Sequence, residues 1–185
     1  MLTWKKFSRN IPNALTILRI LLIPVLIVCF NLEGRMPHYI SAGIFIFASI
    51  TDYIDGFLAR YWQAQTNFGR MLDPIADKML VASTLLLLVD QQLASTIPIV
   101  IILCREIFVS GMREYLGAKS KKIPVQLIGK IKTFLQMAAI IIILLGDVTA
   151  LSTFPKLGEI LLWIAAIMTL ISGYLYCREG FKRLD

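Results

Sequence analysis

The sequence predicts an all-α integral membrane protein: six transmembrane helices behind a short N-terminal amphipathic interfacial helix, with the active site in the cytosolic leaflet. Three observations carry this. Hydrophobic residues make up 57% of the 185, above the roughly 45–50% usual in globular chains. They gather in long runs instead of strand-like alternation. The basic residues crowd at one end of those runs. One domain, 1–185, accounts for the chain, with 1–9 as the interfacial segment and 10–185 as a six-helix bundle.

Met1–Arg9 sets Trp4 and Phe7 against Lys5, Lys6 and Arg9, the pattern of a helix lying in the membrane interface. The apolar stretch that follows is too long for a signal peptide and lacks a small-residue cleavage site, so it reads as an uncleaved span. Asn10, ahead of Pro12, reads as the cap of that first span. Apolar runs centre on Ile17–Leu32, Tyr39–Thr51, Lys78–Val89, Ile97–Val109, Phe134–Leu145 and Leu157–Tyr176. A span needs about 20 residues, so the shorter runs must include polar flanks.

The connections after spans one, three and five hold only Arg35 and Lys156 of the 19 basic residues. The positive-inside rule then puts both termini in the cytoplasm of a multi-pass cell (inner) membrane protein. The net charge of +7 is one-sided, which suits anionic lipid headgroups, and no nucleic-acid partner is expected. Cys29, Cys104 and Cys177 read as packing residues without a disulfide. His38 reads as a solvated loop residue on the outer side, and Gly43, Gly158 and Gly173 permit close helix contacts.

Against this apolar background stand Asp52, Asp55, Asp73 and Asp77. A carboxylate at mid-membrane costs roughly 2.5–3.5 kcal/mol on insertion scales, so an unpaired set would oppose insertion. The acids are three and four residues apart, which puts each pair on one helix face. If the chain reverses within Gln63–Asn67, Asp55 comes level with Asp73 and Asp52 with Asp77, and the four converge about two to three turns inside the cytosolic end of their helices. Oxygen-only ligands at this density suit two hard divalent cations, Mg²⁺ or Mn²⁺, about 3.5–4 Å apart, the arrangement that stabilises phosphoryl displacement. Gly56, Ala59 and Gly69 interleave with the acids beside Arg60. They fit close helix packing and equally a slot where a nucleotide lies against backbone. Pro74 frees the carbonyl four residues earlier next to this site.

The segment from Asp52 to Asp77, with Asp55, Gly56, Ala59, Arg60, Gly69 and Asp73 at their fixed spacings, resembles the signature of the CDP-alcohol phosphotransferase family with every motif position filled. The family transfers a phosphatidyl or related group from a CDP-linked donor to an alcohol and releases CMP. The resemblance implies Asp52, Asp55, Asp73 and Asp77 as metal ligands, Asp77 also as the base on the acceptor hydroxyl, and Gly56, Ala59, Arg60 and Gly69 lining the CDP site. Asn10, Ile11, Pro12, Asn13, Thr16 and Arg19 resemble the family's N-terminal pattern. Asn13, Thr16 and Arg19 recur on one face that could approach the nucleotide or lipid phosphates. The family also implies a homodimer.

Two further runs, Arg105 to Glu114 and Gly129 to Gln136, resemble those of bacterial members that use glycerol-3-phosphate. Arg105, Arg113, Lys130 and Lys132 would bind its phosphate, with Glu106 and Glu114 orienting the arginines. For Lys130 and Lys132, anchoring of helix ends is an equal alternative. The expected reaction is transfer of the phosphatidyl group from CDP-diacylglycerol to glycerol-3-phosphate, giving phosphatidylglycerophosphate and CMP. The alternatives are another acceptor within the family (inositol phosphate, serine or phosphatidylglycerol) and, from another class, a divalent-cation transporter.

Overall fold

A computed structural model describes the backbone of residues 2–61, 67–118, 127–149 and 153–182. Side chains at 2–12, 35, 53–61, 67–68, 70, 118 and 148 lie outside the described set. Among the described residues there are six helices and no strand: α1 (Leu2–Phe30), α2 (Arg35–Tyr61), α3 (Asn67–Asp90), α4 (Thr96–Ala118), α5 (Leu127–Thr149) and α6 (Thr153–Lys182). Each has 23 to 30 residues, enough at about 1.5 Å per residue to match a hydrocarbon core of roughly 30 Å. Within the described residues Asn13–Phe30, Leu127–Asp147 and Thr153–Lys182 are both long and apolar enough to cross a bilayer. The protein is therefore a membrane protein.

Two sequence expectations change. α1 runs unbroken from Leu2, so residues 2–9 continue into the first apolar stretch, and Asn10 lies inside the helix instead of capping it. Pro12 costs a backbone hydrogen bond but does not end the helix, because apolar and helix-forming residues continue on both sides. His38 is a residue of the first turns of α2, half-buried, with its Nδ1 2.7 Å from Asp147 Oδ2 and its ring tilted against Phe30.

The turns have local causes. Asn31 closes α1 through its side-chain amide to the Ile27 carbonyl at 2.8 Å, and Gly34, at φ 109°, lets the chain turn into α2. α3 ends in a Schellman arrangement, Leu93 N–H to Leu88 C=O at 2.8 Å and Gln92 N–H to Val89 C=O at 2.9 Å. Gln92 takes the left-handed position at φ 57°, usually given to glycine.

The chain forms two compact units, Met1–Leu87 with Asp147–Thr149, and Leu88–Gly146 with Ala150–Asp185. In the first, α1 packs on α2. α1 buries Thr16, Arg19, Ile23, Leu26 and Phe30, and α2 buries Ser41, Ala42, Phe45 and Ala48, each at helical spacing along one stripe. Ser41, Ser49 and Thr84 turn their hydroxyls back onto carbonyls of their own helices, which spares the apolar surroundings an unpaired donor. Cys29 is buried as expected, whereas Cys104 is exposed.

In the second unit α4 packs on α6, and Val109, Leu116 and Tyr176 form a cluster with Met112 against it. α6 buries Gly158, Leu162, Ala165, Ala166, Thr169, Ser172, Gly173, Tyr176 and Gly180 and exposes Ile160, Ile164, Ile167, Leu170 and Ile171. Small residues face protein and large apolar ones face outward, the arrangement expected where lipid, not water, is the solvent. Among the glycines with described surroundings the tightest is Gly158, where an added Cβ would stand 2.4 Å from Ile143 Cγ1 and 3.2 Å from the Ala139 carbonyl oxygen. Glu159 accepts the Ser95 N–H at 3.2 Å, tying the start of α4 to α6.

Gly43 meets nothing within 4 Å among the described residues. Gly158→Ala should therefore destabilise the protein by about 1–3 kcal/mol through overpacking, while Gly43→Ala should be neutral or gain up to about 1 kcal/mol from helix propensity. Thermal unfolding of the two variants in detergent checks this contrast.

Candidate active site

The buried stripe of α1 changes character toward its N-terminal end, where Ile23 and Leu26 give way to Arg19 and Thr16, 1% and 0% exposed. A guanidinium in such a place needs an anion. Its Nη1 donates to Asp52 Oδ1 of α2. One helical turn earlier, Thr16 Oγ1 donates to Asp73 Oδ1 of α3. Neighbouring residues on one face of α1 thus hold one acid from each of the next two helices. Asp52 and Asp73 are close enough for their charges to interact.

Each of these carboxylates uses Oδ1 in its bond to α1, and Oδ2 has no partner among the described residues. A carboxylate has about four lone-pair sites, so each acid retains capacity for a further donor or a cation. Asp77 follows Asp73 by one turn on α3, half-buried, beside the buried Ala76 and Leu80. Gly69 is buried at the start of α3, and Asn13 is half-buried one turn before Thr16. Asp55, Gly56, Ala59 and Arg60 continue α2 beyond Asp52 as helical backbone, with their side chains outside the described set. The reversal expected within Gln63–Asn67 lies almost wholly outside the described residues, at 62–66, and no group of three His, Cys, Asp or Glu among the described residues could hold a metal ion.

The Thr16 hydroxyl is engaged with Asp73, on the face of α1 expected toward the nucleotide or lipid phosphates. Arg19, which shares that face, is the counter-ion of Asp52.

The second unit carries a cationic cluster. Arg105 of α4 donates from Nη1 to Glu106 Oε1 at 3.1 Å and from Nη2 to Ser172 Oγ of α6 at 2.9 Å. Lys132 of α5, 5% exposed, donates to the same Glu106 oxygen. A buried ammonium is tolerated only when paired, and one carboxylate here serves two cations. Glu106 thus has the orienting role expected of it. Glu114 does not: it is exposed and has no partner among the described residues. Arg113 is exposed, its guanidinium carbon 5.7 Å from the centre of the Tyr176 ring, within cation–π range. Lys130 is exposed on the other side of α5 from Lys132, which favours helix-end anchoring for it.

The contribution of α6 was not anticipated. Thr169, Ser172, Gly173 and Tyr176 stand in an otherwise apolar run, and the available signal was that interruption at helical spacing. The same composition also marks ordinary close packing.

The family model described as CDP-alcohol phosphatidyltransferase matches residues 9–171. Proteins named "CDP-diacylglycerol--glycerol-3-phosphate 3-phosphatidyltransferase" are similar along nearly their whole length. The one from Rickettsia felis is 42% identical over 180 residues, covering 95% of this chain and 99% of the relative. That from Haemophilus influenzae is 42% identical over 179 residues, 92% and 94% of the two chains. That from Bacillus subtilis is 36% identical over 188 residues, 95% and 97%. The motif resemblance at Asp52–Asp77 thus extends over the chain, which belongs to the CDP-alcohol phosphatidyltransferase family.

Proposed function

We propose that this protein transfers the phosphatidyl group of CDP-diacylglycerol to glycerol-3-phosphate, forming phosphatidylglycerophosphate and releasing CMP. The observation that carries the reading is the pairing of Thr16 and Arg19 with Asp73 and Asp52, which sets two motif acids side by side. Family membership and the printed names of the relatives support the same reaction. The chain would act as one six-span membrane domain with both termini in the cytoplasm, its first turns in the interface, and as a homodimer.

The donor set fits hard divalent cations. Asp52 and Asp73 each offer a second oxygen, Asp55 and Asp77 belong to the same helix faces, and all the donors are carboxylate oxygens, which suits Mg²⁺ or Mn²⁺. Two such ions, when bound, would neutralise the diphosphate of the donor and the charge that develops on phosphoryl transfer. The chain's own residues do the rest. Arg19 balances one acid so that four carboxylates can be assembled in an apolar bundle, and Thr16 fixes the rotamer of Asp73. Gly69, Gly56 and Ala59 leave room for the cytidine nucleotide beside Arg60 and Asn13. The Asp77 carboxylate takes the proton from the glycerol 1-hydroxyl as that oxygen bonds to phosphorus and the bond to CMP breaks. Arg105, Arg113 and Lys132 hold the phosphate of the acceptor.

A radiolabelled transfer assay in detergent is the direct test. Glycerol-3-phosphate should be consumed, activity should vanish on chelation of divalent ions, and Mg²⁺ or Mn²⁺ should restore it. Turnover of serine or an inositol phosphate in place of glycerol-3-phosphate would reassign the acceptor. Asp77→Asn should lower transfer by at least about 100-fold, the scale of losing a general base, with little change in thermal stability.

Arg19→Met should strand Asp52 in apolar surroundings. The double variant Arg19→Met/Asp52→Asn should then be more stable than the sum of the single changes predicts, by about 1–3 kcal/mol of coupling. Melting curves of the four proteins measure it, and strict additivity would mean the ion pair has no energetic role.

A further inference from the structure

We propose that one face of α6, formed by Ser172, Gly173 and Tyr176, is a positioning surface for Arg105 and Arg113 that sets selectivity for a phosphate-bearing acceptor. This rests on the assignment of those arginines to the acceptor phosphate.

Three contacts carry it. The Ser172 hydroxyl accepts from Arg105 Nη2 at 2.9 Å and donates to the Thr169 carbonyl at 3.0 Å, so its hydrogen is committed and its lone pair stays aimed at the guanidinium. At Gly173 an added Cβ would lie 3.0 Å from Arg105 Cγ and 3.2 Å from Nε. The arginine stem therefore occupies the groove left by the missing side chain, and an alanine there must push it by a few tenths of an ångström. Tyr176 is buried with Val109 and Leu116, so the ring beneath the Arg113 guanidinium is a fixed plate. Stacking uses the face of a guanidinium and leaves its N–H edges for an anion.

The electrostatics point the same way. Glu106 is already shared by Arg105 and Lys132. One carboxylate for two cations leaves the cluster with excess positive charge, which suits an anionic ligand.

The test uses the purified full-length protein in detergent, with KM for glycerol-3-phosphate, KM for CDP-diacylglycerol, kcat and melting temperature for each variant. Ser172→Ala and Tyr176→Leu should each raise the acceptor KM about three- to tenfold, the worth of one hydrogen bond or stacking contact. The donor KM and kcat should stay within about twofold, and Tyr176→Phe, which keeps the ring, should behave like the parent. Gly173→Ala should follow Ser172→Ala if it folds; Ser172→Ala carries the test if it does not.

If Arg105→Lys raises the acceptor KM while Ser172→Ala and Tyr176→Leu do not, the positioning role falls and the acceptor pocket stands. If Arg105→Lys is also silent, the pocket assignment fails and takes the proposal with it. Parallel losses in both KM values, kcat and melting temperature, with Tyr176→Phe as impaired as Tyr176→Leu, would identify α6 as packing only and overturn the proposal.

Discussion

A carboxylate inside an apolar bundle must find a donor, and in the first unit α1 supplies two of them one turn apart. Among the described polar groups of that helix Arg19 and Thr16 are the most deeply buried, and each reaches a different neighbour, Asp52 on α2 and Asp73 on α3. Desolvating an arginine and leaving it unpaired would cost several kcal/mol. Packing of α1 is therefore coupled to the placement of the acids. Hydrophobic contacts such as Ile23, Leu26 and Phe45 bring the helices together, but the polar pairs fix which rotation and height allow them to remain there.

The same rule organises the second unit with the signs exchanged. Arg105 and Lys132 are the charges that must be balanced, and the single carboxylate of Glu106 touches both. Ser172 takes the remaining terminal nitrogen of Arg105. Each unit therefore uses its buried polar bonds twice, once to keep ionised groups in an apolar setting and once to orient them. An acid cluster suits cations and a cluster with excess base suits anions.

Packing along α6 draws mainly on small residues. Along α6, Gly158, Ala165, Ala166, Ser172 and Gly173 are buried, while Ile160, Ile167 and Leu170 are not. In lipid the apolar surface gains little by turning inward, so close van der Waals approach and polar pairing decide the buried face. Gly158 against Ile143 is the tightest case and Gly43, in open space, the opposite one. Glycine in a membrane helix thus marks a contact only when a neighbouring backbone is at hand.

Length, apolarity and residue spacing were enough to give the class of the protein, the six helices and their approximate limits, and the motif acids with their family. Those properties are local: length and apolarity define a helix, and fixed spacing defines a helix face. The sequence also singled out Arg105 and its neighbour Glu106, because charges within an apolar run must be paired. Only the tertiary structure decided the partners. Asn10 was expected to cap and lies within the helix, His38 was expected in solvent and meets Asp147, and the bond from Thr16 to Asp73 was not foreseen. Ser172, Gly173 and Tyr176 became significant once α6 lay against α4. Such pairings depend on which faces of distant helices meet, and in a chain where nearly every face is apolar, periodicity carries too little contrast to specify that.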